Sequence, residues 1–147
     1  MPLNRQMVLF ACVLYFLSLM LPAVSDYGGK GALQGYVLLL TGPLGMLEGE
    51  LRWVANVFFF VAAIMVAQQE RRIVLNILFA VFGAGLAVSC LWIPVHMYDP
   101  RHSYLAQPFA GMYFWIAAFI VLLLASFVAP KGVQNPGNDK DSGERHA

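Results

Sequence analysis

Four long apolar runs dominate the chain, separated by short polar breaks. They are residues 7–24 (MVLFACVLYFLSLMLPAV), 51–69 around WVANVFFFVAAIMVA, 73–93 (IVLNILFAVFGAGLAVSCLWI) and 109–129 (FAGMYFWIAAFIVLLLASFVA). A helix that crosses a bilayer needs about 20 mostly apolar residues, with about 17–25 tolerated. Inside hydrocarbon the backbone has no water to bond, so each run is read as a helix. Strands of a membrane barrel would alternate apolar and polar residues at period two, which FFFVAAIMVA and IVLLLA do not. The pattern predicts an all-α integral membrane four-helix bundle over residues 1–130. A polar tail, 131–147, follows it; its mixed charge and small apolar content predict disorder.

The connection between the first two runs, residues 25–50, breaks the simple pattern. It contains GYVLLLTG, residues 35–42, too apolar for a free loop and too short to span. A short interfacial or re-entrant helix is expected there, forming a cap over one end of the bundle.

Composition agrees with the membrane reading. The chain has 147 residues, 60% hydrophobic and 12% charged, where soluble domains average about 45–50% and about 25%. The formal net charge of +1 offers nothing to attract nucleic acid, and none is expected as a partner. The positions of the charges say more. Arg5, Arg71, Arg72, Lys131, Lys140 and Arg145 fall on one side of a four-crossing chain, and Lys30, Arg52 and Arg101 on the other. Lys and Arg stay in the cytoplasm, so both termini are expected there and the cap outside. Trp53, Trp92 and Trp115 all fall toward the outer side, where the interface holds tryptophan. Arg5 and the AVS before Asp26 imitate a secretion signal. The first run exceeds the usual core of about 7–15 residues, so it is read as a retained span.

The chemistry on offer is sparse. The apolar cores carry no Asp, Glu, Lys, Arg or His, and intramembrane charge is the usual mark of proton relays and ion paths. Asn56 and Asn76 are the clearest polar residues inside the runs, each expected to bond a neighbouring helix. Ser18, Ser89 and Ser126 can bond back to their own helices. Cys12 and Cys90 differ in depth by roughly 15 Å at a rise of about 1.5 Å per residue. That separation forbids a disulfide. His96, Asp99 and His102 offer metal-type donors in the outer connection. Pro94 and Pro100 break any helical register there, and a polar loop at the headgroups is the preferred account. No catalytic set, metal or cofactor is assigned. Ala80, Gly83, Ala84 and Ala87 place small residues at four-residue spacing on the third helix. Such a face packs inside the bundle or, as the alternative, makes a homo-oligomer.

One stretch stands apart: TGPLGMLEGELRWVAN, residues 41–56. A helix beginning near Pro43 would set Glu48, Arg52 and Asn56 at four-residue spacing on one face. They would form a polar stripe running from the cap into the bilayer, serving as a structural tie or an interaction site. The plainer account is a membrane-end anchor made by Arg52 and Trp53.

The succession LPAVS, a glycine-rich gap, GYVLLLTGPLG and then WVAN opening a helix resembles small uncharacterised bacterial inner-membrane proteins. The resemblance covers roughly residues 20 to 70. It implies the bacterial inner membrane and four helices, and no activity. The functional expectation is therefore a non-enzymatic membrane protein that serves as an accessory, interaction or protective (immunity-like) subunit for a protein partner in the bilayer. The alternatives are an oligomeric channel or transporter, and an enzyme at the outer interface.

Overall fold

The computed structural model describes residues 2–25, 31–46, 51–68, 73–92 and 107–128. The outer-loop residues His96, Asp99 and His102, the tail 131–147, and Glu48 lie outside the described residues. Of the described residues 83% are helical.

Helix α1 (Leu3–Met20) starts four residues before the expected run and stops four before its end. Pro22 sets the stop. The residue before a proline is driven out of the α region, and Leu21 is extended at φ −93°, ψ 154°. The chain then forms strand β1 (Pro22–Ser25), paired antiparallel with β2 (Ala32–Gln34) through Val24↔Leu33 and Ser25↔Ala32. Residues 107–109 join the other edge of β1. Ser25 N–H donates to Gln107 O at 3.0 Å, and Phe109 N–H to Ala23 O at 2.9 Å. The cap thus carries a small sheet, where the sequence pattern predicted only helix and loop.

Helix α2 (Gly35–Met46) follows directly and contains GYVLLLTG, exceeding it by one turn. It passes through Pro43, so no helix starts there. A 3₁₀ turn (Leu51–Trp53) leads into α3 (Val54–Gln68), and α4 (Ile73–Ser89) and α5 (Ala110–Phe127) complete the chain order. Arg52 lies in the 3₁₀ turn that precedes α3, which carries Asn56, and Glu48, the third member of the expected stripe, lies outside the described residues. Proline inside a helix is costly, and that made Pro43 look like a beginning.

Three stretches are long and apolar enough to cross a membrane: Leu3–Met20, Leu51–Gln68 and Ala110–Phe127, with mean hydropathy 1.5, 1.7 and 2.1. Helix α4 is apolar but shorter. Helix α1 packs along α5, and α4 packs on both α3 and α5. Small residues permit the close approach: Ala11, Ala55, Ala62, Ala80, Ala87 and Ala118 are buried. A side-chain carbon on Gly83 would come 2.8 Å from Phe119 and 3.2 Å from Phe58. The small-residue face of α4 is thus filled within the chain. Tyr15 stacks on Phe59 with centroids 4.6 Å apart, and Phe119 meets both Phe59 and Trp115 edge-on at 5.1 Å. Outward, by contrast, stand Phe16, Val74, Phe82, Ile120 and Leu124, all exposed. Apolar side chains facing out on several helices are a surface suited to lipid.

Candidate functional site: a capped cavity around Asn56

The end of the molecule farthest from Arg5 gathers α2, the small sheet, the 3₁₀ turn and the start of α5. Two glycines allow the crossing. Gly35 packs so closely on α1 that a side chain there would overlap the Ser18 carbonyl. Its N–H donates to Leu21 O at 3.1 Å. Gly111 lies against the chain as it leaves α1, with room for no carbon beside the Leu21 and Pro22 carbonyls.

A tryptophan latches α2 in place. Pro43 has no N–H, so the helical bond that Leu39 O would normally accept from four residues ahead is missing. Trp53 Nε1–H donates to that carbonyl at 2.9 Å. The indole lies over Gly42, where a side-chain carbon would overlap its ring. Proline, glycine and tryptophan are one device: one frees the acceptor, one clears the space, one fills it.

Asn56 is the polar centre. Its Oδ1 accepts from Tyr15 OH at 2.9 Å and from Trp115 Nε1–H at 3.0 Å. Its Nδ2 donates to Trp53 O at 3.1 Å. One side chain, 8% exposed, therefore ties α1, α5 and the start of α3 together. Unsatisfied amides are expensive away from water, and this one has three of its four positions filled.

Between α2 and these groups lies a cavity of about 560 Å³, within the usual range for small-molecule sites. Val37, Leu38, Leu44, Val24 and Met112 give it an apolar lining, and Arg52, Trp53, Asn56 and Trp115 form its more polar wall. Among the described residues that line it there is no Asp, Glu or His. The hydroxyls nearby already donate to helix carbonyls, Ser18 to Tyr15 O at 2.6 Å and Thr41 to Val37 O at 2.8 Å. The sulfur of Cys90, also in the lining, bonds Leu86 O at 3.5 Å.

Of the residues singled out by sequence, Arg52 and Asn56 thus meet on one cavity wall. Tyr15 and Trp115 are the partners that sequence reading missed. The Leu39–Trp53 bond did have a signal, since a proline inside an apolar helix leaves a carbonyl looking for a donor. Cys12 and Cys90 form no disulfide. Ser89 and Ser126 bond back within their helices, at 2.7 and 2.9 Å. Asn76 behaves otherwise than expected: it is buried, and its Oδ1 has no hydrogen-bond partner among the described residues. No group of three or more His, Cys, Asp or Glu able to hold a metal occurs among the described residues. The chain matches no family model, no curated protein and no solved structure.

Proposed function

We propose that the chain is a non-enzymatic multi-pass protein of the bacterial inner membrane, an accessory subunit that binds a membrane component under its cap. In this reading α1, Leu51–Gln68, α4 and α5 form a four-span bundle with both termini in the cytoplasm. The observation that carries the reading is the apolar cavity beneath a helix too short to span, its polar wall already committed to holding helices together. Such a wall suits holding a molecule. A reaction would need a nucleophile and base, and the hydroxyls here donate into their own helices.

The test is native mass measurement of the protein extracted in mild detergent, compared with Val37→Trp, which fills the cavity from α2. A bound species present in the first and lost in the second is the expected result. A bare chain in both preparations would overturn the binding reading.

A further inference from the structure

Asn56 retains one hydrogen-bonding position. An asparagine amide offers two acceptor positions on Oδ1 and two hydrogens on Nδ2. Tyr15 and Trp115 fill both positions on the oxygen, and Trp53 O takes one hydrogen. The second Nδ2 hydrogen remains on a side chain that is nine-tenths buried and lines the cavity. Once an apolar occupant excludes solvent from the cavity, that hydrogen needs an acceptor on the occupant itself.

We propose that the cavity holds an alkyl chain headed by a carbonyl group, with the carbonyl oxygen accepting the remaining Asn56 Nδ2–H. The inference rests on the binding reading above and specifies its ligand. The cavity wall sets this amide hydrogen beside the Arg52 side chain. A carbonyl oxygen at the end of a hydrocarbon tail matches both the apolar lining and the remaining Asn56 hydrogen. Two sources share that chemistry, the ester linkage of a bilayer glycerolipid and a free fatty acid.

Three probes separate them: dipalmitoyl phosphatidylglycerol, its ether-linked analogue with the same chains and headgroup, and palmitate. Binding of each to the delipidated protein is read by native mass titration. The ester lipid is expected to bind about fivefold more tightly than the ether, the worth of one net hydrogen bond. Palmitate binding more tightly than the ester would assign the carbonyl to a free acid. Asn56→Asp keeps an oxygen for Tyr15 and Trp115 but loses the amide hydrogens, and is expected to abolish the ester–ether difference. The comparison within the native protein stands even if that variant fails to fold. Equal binding of ester and ether by native protein, with Val37→Trp still blocking both, overturns the carbonyl assignment and leaves the cavity a binding site. Binding of none of the three, with a different species lost on Val37→Trp, also overturns it. Binding of nothing by either protein removes the binding reading as well.

Discussion

Asn56 and Asn76 are the same residue type, both buried and both on apolar helices, and they are placed in opposite circumstances. Asn56 satisfies donors from two other helices, whereas Asn76 Oδ1 has no partner among the described residues. Replacing Asn56 by Leu strands the Tyr15 hydroxyl and the Trp115 N–H in the interior. Each stranded group costs about 1–3 kcal/mol. The expected result is a clear fall in the thermal midpoint in detergent, larger than for Asn56→Asp, which retains an acceptor. Replacing Asn76 by Leu removes an unbonded buried oxygen and is expected to raise the midpoint, by roughly 1 kcal/mol of stability on the same scale. A lower midpoint for Asn76→Leu would show that the amide is needed. Sequence made both asparagines visible as polar residues in apolar runs. It could not tell them apart, because the partners of Asn56 lie 41 and 59 residues away. Both partners are aromatic residues whose apolar bodies hide a polar tip.

At the scale of elements, α2 depends on the coupling between Pro43 and Trp53. Restoring an N–H with Pro43→Ala lets the helix satisfy Leu39 O by itself, so the Trp53 bond becomes less important. A double-mutant cycle of Pro43→Ala and Trp53→Phe should therefore be non-additive. Trp53→Phe is expected to cost about 0.5–1.5 kcal/mol in the native background and less in the Pro43→Ala background. Proteolysis or hydrogen exchange within residues 35–46 reads the release of α2 directly, and equal losses in both backgrounds would sink the coupling. This element was half legible. GYVLLLTG announced a short apolar helix, but a proline is favoured at a helix start and disfavoured inside one. The donor that satisfies Leu39 O, and so lets the helix tolerate Pro43, comes from outside the helix. The strands were not legible at all. Runs of four and three residues show no period, and PAVS extends an apolar run as readily as it begins a strand. Only the backbone stop imposed by Pro22 hinted at the break.

For the whole molecule the open quantity is the number of crossings, and α4 decides it. Its 17 residues reach about 26 Å at about 1.5 Å each, against a hydrocarbon core of about 30 Å. It carries no charged residue, its outer face exposes Val74, Leu78, Val81 and Phe82, and its inner face packs on α3 and α5. This packing supports the proposal that α4 spans with the other three, since modest mismatch is absorbed by thinning or flanking residues at small cost. The proposed four crossings would put both termini on one side, which the distribution of Lys and Arg assigns to the cytoplasm in that proposal. The cap and the tail are then separated by three crossings, and by only two if α4 stays out of the membrane. In a Cys12→Ala, Cys90→Ala background, Gln34→Cys, an exposed position on β2, should react with a membrane-impermeant maleimide in intact cells. Ser142→Cys should react only after permeabilisation. Both residues reacting on the same side would mean an odd number of crossings and would remove α4 from the membrane. The reverse pattern would keep four crossings and turn the cap, with its cavity, toward the cytoplasm.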